Sequence, residues 1–142
     1  MRWLTFRRQG SEAGSCNELA QTQRHTEGKR LQELQRQAFK LITEKLPTAT
    51  INGSTKHRLP NNLHLTFPGQ DNERLLIKLD EQGILAAAGS ACSASDEEPS
   101  HVLRAIGLSD AEAQASLRLT MGRGTTETQI TTVIRALQKL TA

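Results

Sequence analysis

Aromatic residues are scarce. They make up 3% of the 142 residues: Trp3 is the one tryptophan, there are three phenylalanines, and tyrosine is absent. A surface that stacks nucleic-acid bases needs such rings, so nucleic-acid binding has little to stand on. Cysteine is equally sparse, with Cys16 and Cys92 far apart and in unlike settings. Two such thiols make neither a disulfide framework nor the paired spacings of a zinc site. No apolar run approaches the ~18 residues of a membrane span. Neither sign of charge dominates: 18 Lys and Arg stand against 15 Asp and Glu, a net charge of +3. Lys and Arg spread along helices read as solvated faces. The basic, amphipathic start from Met1 to Arg8 is followed by no apolar core and no cleavage pattern, so a cytoplasmic protein is the simplest expectation and an organellar transit peptide the alternative.

What is present describes one soluble domain with a modest core, 36% hydrophobic and 23% charged. Residues 1–16 carry Gly10, Ser11, Gly14 and Ser15 without a sustained period, which predicts an irregular or disordered start, or foreign codons ahead of the true reading frame. No role is expected for Cys16. From Glu18 to Leu46 the composition is helical. Leu31, Leu34, Ala38, Leu41 or Ile42, and Leu46 form one apolar stripe, and Pro47 ends the run. Thr48–Ile51 is short and partly β-branched, and Asn52-Gly53 turns the chain. Leu63, Leu65 and Phe67 alternate with Asn62, His64 and Thr66, the pattern of a half-buried strand. His64, on its polar side, is expected to be solvated.

Asp71 is a good N-cap for a helix running to Gln82, with Leu75, Leu76 and Leu79 buried and Gly83 beyond its end. Ile84–Ala88 is expected to be a short apolar strand. Pro99 and Gly107 suit the start and end of another helix. Ser109 with Glu112 and Thr126 with Gln129 have the spacing of capping boxes. In Ser116–Met121, Leu117, Leu119 and Met121 point one way and Ser116, Arg118 and Thr120 the other. The last helix carries the stripe Ile130, Val133, Ile134, Leu137 and Leu140. Interleaved helices and strands predict an α/β or α+β fold: a small, largely antiparallel sheet covered by helices.

Between strand and helix lies Gly89-Ser90-Ala91-Cys92-Ser93-Ala94-Ser95, followed by Asp96-Glu97-Glu98 and Pro99. Small neighbours leave the Cys92 sulfur uncovered, the setting of a reactive thiol rather than a structural one. The plainer alternative is a linker with an incidental cysteine. Arg118 can grip a carboxylate with the planar, two-pronged guanidinium that lysine cannot match. Its alternative is an arginine lying on solvent. Arg104 would be explained by an ion pair with Glu97 or Glu98. His101, nine residues after Cys92, is a weak candidate for a Cys–His pair.

Gly89-Ser90-Ala91-Cys92, Glu98-Pro99-Ser100-His101-Val102-Leu103-Arg104-Ala105-Ile106-Gly107-Leu108, Ser116-Leu117-Arg118-Leu119-Thr120 and Gly122-Arg123-Gly124-Thr125-Thr126-Glu127 occur in that order. Together they resemble the C-terminal part of cysteine desulfurases of the NifS/IscS type, over about 31–140. The resemblance implies the small domain of a fold-type I pyridoxal-phosphate transferase, with 17–46 as the linking helix and 47–142 as the domain. It implies that Cys92 receives sulfur from L-cysteine as a persulfide and passes it to an acceptor protein such as an iron–sulfur scaffold. It implies that Arg118 holds the substrate carboxylate, and that full enzymes are homodimers. The cofactor's lysine, its aspartate and its phosphate-binding loop belong to a large domain that matches nothing here. None of Lys29, Lys40, Lys45, Lys56, Lys78 or Lys139 stands in a matching motif, so the chain looks like a fragment. The competing expectations are a persulfide carrier without catalysis and an inert gene fragment.

Overall fold

The computed structural model describes residues 9–88 and 100–141, with side chains described from residue 18 onward. Helix α1, Gln9–Lys45, is about 55 Å long at 1.5 Å per residue. It starts earlier than its composition suggests and runs through Gly10 and Gly14. Glu12 and Ala13 between them are strong helix formers, and each glycine costs only about 1 kcal/mol against alanine. Arg30 pairs with Glu27 and Arg36 with Glu33 along its surface. Its stripe Leu31, Leu34, Ala38, Ile42 and Leu46 is buried.

Three strands follow, β1 Thr50–Ile51, β2 Asn62–Thr66 and β3 Ser116–Thr120, in the antiparallel order β1-β2-β3. Thr50 faces Thr66, and β3 pairs with β2 from Asn62↔Thr120 to Thr66↔Ser116. Leu63, Leu65, Leu117 and Leu119 share one face and pack against α1, α2 (Asn72–Asp80) and α5 (Glu127–Leu140) in one core with Leu75, Leu79, Ile130, Ile134 and Leu137. This is the α/β architecture expected, a short antiparallel sheet under helices. Helices α3 (His101–Ala105) and α4 (Asp110–Gln114) contact each other and lead into β3.

The helix ends follow local chemistry. Asp71 accepts from the Arg74 amide at 2.9 Å, and both capping boxes form, Ser109 with Glu112 and Thr126 with Gln129. Gly83, at φ +70°, ends the α2 turn in the left-handed region that favours glycine. The expected strand at Ile84–Ala88 is reduced to one bridge, Ala87 with Arg118. The Ile84 amide is still tied to the Leu79 carbonyl at 2.9 Å, so only the last few residues reach the sheet. Leu85 is 84% exposed.

Candidate functional site

The polar face of the sheet carries Asn62, His64 and Thr66 from β2 and Ser116, Arg118 and Thr120 from β3, since alternation sends the leucines to the core. The Leu119-bearing face opens instead on an apolar groove of about 550 Å³ lined by Leu63, Ile84, Ile130 and Val133. Of the polar-face residues Thr120 reaches that groove, while His64 and Arg118 do not, nor does Arg58.

One row crosses the sheet at Arg118. The Arg118 amide donates to the Ala87 carbonyl at 2.7 Å and its carbonyl accepts from the Ala87 amide at 3.0 Å. On the other side Arg118 faces His64, and beyond it the Asn52 amide donates to the His64 carbonyl at 2.9 Å. The backbone bonds of Arg118 and His64 therefore go to their outer neighbours. The Phe67 amide bonds to the Ala115 carbonyl and the Met121 amide to the Asn61 carbonyl. In that ladder His64 and Arg118 are a non-hydrogen-bonded pair, the kind whose side chains come closest, Cβ atoms about 4.5–5.5 Å apart. Among the described residues no carboxylate lies within ion-pair distance of Arg118. Its guanidinium is free to take an outside anion.

Asn52 is buried and anchors the row. Its Nδ2 donates to His64 Nδ1 at 2.7 Å and to Thr66 Oγ1 at 2.9 Å. Thr66 and Ser116 hydroxyls meet at 2.7 Å, and Ser116 Oγ donates to the Glu112 carbonyl at 2.7 Å. Thr66 Oγ1 also lies 3.1 Å from Asn52 Oδ1, and Asn52 Nδ2 lies 3.4 Å from Ser116 Oγ. With the Ser116 proton used on the Glu112 carbonyl, Thr66 has to supply the proton of the 2.7 Å contact with Ser116, and the Asn52 amide supplies those toward His64 and Thr66. His64 is thus half-buried and hydrogen-bonded, not merely solvated. Burial, then the nearby Arg58 and Arg118 charges, holds its imidazole below the ordinary value. Arg58 donates to the Asn52 carbonyl at 2.6 Å and lies 5.6 Å from the centre of the Phe39 ring. Its Nε and Nη1 are buried without a hydrogen-bond partner among the described residues, and burial lowers its pKa.

Cys92 lies outside the described residues, as do Glu97, Glu98 and Pro99. Sequence alone sets its distance along the chain: Gly89 follows two residues after Ala87 and Cys92 five, a reach of at most about 18 Å from Ala87. Arg104 bonds Asp110 through two contacts of 2.6 and 2.9 Å. His101 is an exposed residue at the start of α3. Two residues that sequence reasoning passed over shape the surroundings. Arg30 donates to the carbonyls of Thr125, Gly122 and Arg123 at 2.8, 2.9 and 3.2 Å, tying the loop after β3 to α1. Gln35 donates to the carbonyls of Leu59 and Asn62 at 2.9 and 2.8 Å. The only signal for Gln35 is that it falls on the line Leu31, Ala38, Ile42.

The described residues do not form an anchoring site for pyridoxal phosphate. A Schiff-base lysine works from a sheltered pocket, whereas Lys29, Lys40, Lys45, Lys56, Lys78 and Lys139 are all exposed. Nor, among the described residues, do three His, Cys, Asp or Glu side chains gather where they could hold a metal. No helix among them is long and apolar enough to cross a membrane.

The described residues thus form a helix-covered antiparallel sheet whose polar face carries an arginine with no acidic partner among them. The aminotransferase class-V family model matches residues 15–133, and the chain belongs to that family. Its relatives there are cysteine desulfurases. Cysteine desulfurase IscS of Clostridium botulinum (strain Hall) is 38% identical over 129 residues, covering 89% of this chain and 32% of that protein. IscS of Anaeromyxobacter dehalogenans is 36% identical over 122 residues, covering 86% and 30%. The chain thus spans about a third of the length of these curated relatives. Among solved structures, a NifS-like protein from Rickettsia africae superimposes with a TM-score of 0.66 at 27% identity, over 78% of this chain and 28% of that one. A second NifS-like protein shares the fold, with a TM-score of 0.71 at 21% identity over 87% and 30%.

Proposed function

We propose that this chain works as the small domain of a cysteine desulfurase, with 17–46 as its linking helix and 47–142 as the domain. Arg118 holds the carboxylate of L-cysteine. The Cys92 thiolate attacks the substrate sulfur, forming a sulfur–sulfur bond as the carbon–sulfur bond breaks. The electron pair of that bond stays on carbon, which takes a proton. The sum is L-cysteine plus the Cys92 thiol giving L-alanine plus the Cys92 persulfide, whose outer sulfur then passes to an acceptor protein. Breaking the carbon–sulfur bond needs an electron sink that none of the described residues furnishes, so that step falls to a lysine-bearing cofactor domain. A reducing cytoplasm suits a free nucleophilic thiol.

The observation that carries this reading is the Ala87–Arg118 bridge. It pairs an arginine that has no acidic partner among the described residues with Ala87, which stands five residues before Cys92 in the sequence. The test joins the chain to the lysine-bearing domain of a class-V relative and measures sulfide release. Arg118→Lys should lose on the order of 2–4 kcal/mol in kcat/KM, part of it in KM, because lysine keeps the charge but loses the fork. Cys92→Ser should release no sulfur. Wild-type activity in Arg118→Lys would overturn the role of Arg118. The exposure of all six lysines favours a second reading, a persulfide carrier that does not itself desulfurate. In that case the Cys92 persulfide would load from an outside donor equally well in wild type and Arg118→Lys.

A further inference from the structure

We propose that His64 is a second holding group for the carboxylate gripped by Arg118, donating from Nε2–H to one of its oxygens. This rests on the carboxylate role of Arg118. The two residues face each other as a non-hydrogen-bonded pair on the polar face of the sheet, so one small anion can touch both.

The tautomer follows from the neighbours. Nδ1 accepts from the Asn52 amide, whose other proton is directed to the Thr66 hydroxyl at 2.9 Å, with Ser116 Oγ farther off at 3.4 Å. A neutral ring with Nδ1 as acceptor carries its proton on Nε2. Among the described residues Nε2 has no hydrogen-bond partner, and it is not one of the buried unpaired side-chain atoms, so it reaches solvent. Both ring nitrogens are therefore committed, one as acceptor and one as donor. With no free lone pair, His64 suits holding an oxygen better than taking up a proton. Arg58 and Arg118 flank it and add positive potential without a described acidic neighbour.

Asn52 is itself fixed by Thr66 and by the hydroxyl chain to Ser116 and the Glu112 carbonyl. The imidazole is thus held in orientation before any ligand arrives, which is what lets one neutral donor contribute to binding.

The test titrates the full 142-residue chain, labelled with 15N at histidine, with L-alanine and with ethylamine, which lacks the carboxylate. The free chain should show the imidazole pattern of a neutral, Nε2-protonated ring. L-alanine should shift the Nε2–H resonance saturably and ethylamine should not. His64→Phe, which keeps a ring but no donor, should bind L-alanine about tenfold more weakly, the loss of one charge-assisted bond. His64→Gln, whose amide reaches the Nε2 position, should recover most of that loss. Wild-type affinity in His64→Phe, with Arg118→Gln unable to bind, overturns the role of His64 alone. An Nδ1-protonated ring, or an Nε2–H resonance unmoved while L-alanine binds, overturns it without any variant. Absence of saturable binding by the wild-type chain, or undiminished binding by Arg118→Gln, overturns the carboxylate role of Arg118 and this inference with it.

Discussion

Replacing Gln35 by methionine should destabilise the chain by about 2–3 kcal/mol, although the side chain keeps its length and its helix propensity. Gln35 is 7% exposed on the core side of α1, and its Nε2 serves two carbonyls, Leu59 at 2.9 Å and Asn62 at 2.8 Å. The Asn62 carbonyl points away from β3 to where β1 would continue, but the pairing of β1 runs from Thr50 no further than the Asn52 amide. Gln35 supplies the donor that the missing strand would have given. Two neutral hydrogen bonds are worth about 1 kcal/mol each. The Leu59 carbonyl keeps the Asn62 amide at 3.3 Å. The Asn62 carbonyl is left without that side-chain donor, adding up to about 1 kcal/mol. At about 2–4 °C per kcal/mol for a chain of this size, thermal unfolding should come about 4–12 °C earlier. Urea unfolding should show a lower midpoint at unchanged slope. The control is Gln32→Met, on the exposed side of the same helix, expected within about 0.5 kcal/mol of wild type. Equal stability of the two variants would refute the clamp.

Two more outcomes are expected. The folded His64 imidazole has a lowered pKa while the unfolded one titrates near 6.5. Below pH 6.5 the unfolded chain therefore binds more protons, so the stability this site contributes is full above pH 6.5 and declines as pH falls below it. Chemical unfolding of wild type against His64→Phe between pH 7.5 and 5 checks the sign, and a parallel pH dependence in the two proteins would count against it. Cys92 should be alkylated by iodoacetamide under native conditions at least as fast as a free thiol, mapped by mass spectrometry. Protection of Cys92 would remove the accessible nucleophile.

Signals carried within a few residues were legible in the sequence. The Ser109–Glu112 and Thr126–Gln129 boxes, the Asp71 cap, the left-handed Gly83 and the alternation that turns Arg118 from the core all appear where expected. Each depends on spacing alone, since a cap needs its partner three residues on and a strand side needs only parity. The long helix was legible from its stripe, but its start was not, because a helix already under way carries Gly10 and Gly14 that would not begin one.

Tertiary structure decided what lies sideways. His64 beside Arg118, Ala87 at the edge and Asn52 buried beneath them come from sequence positions 52, 64, 87 and 118, brought into one row by strand register. A one-residue slip would turn every one of those side chains to the other face. Asn52 read as a turn residue and His64 as a solvated one, because burial of a polar group is set by what covers it and by the partners that satisfy it. The same holds for Gln35 and Arg30, whose partners lie 24 to 95 residues away. The sequence by itself determined the family, the order of elements and which side of β3 carries the arginine. Only packing determined that this arginine lies between Ala87 and a histidine held by a buried amide.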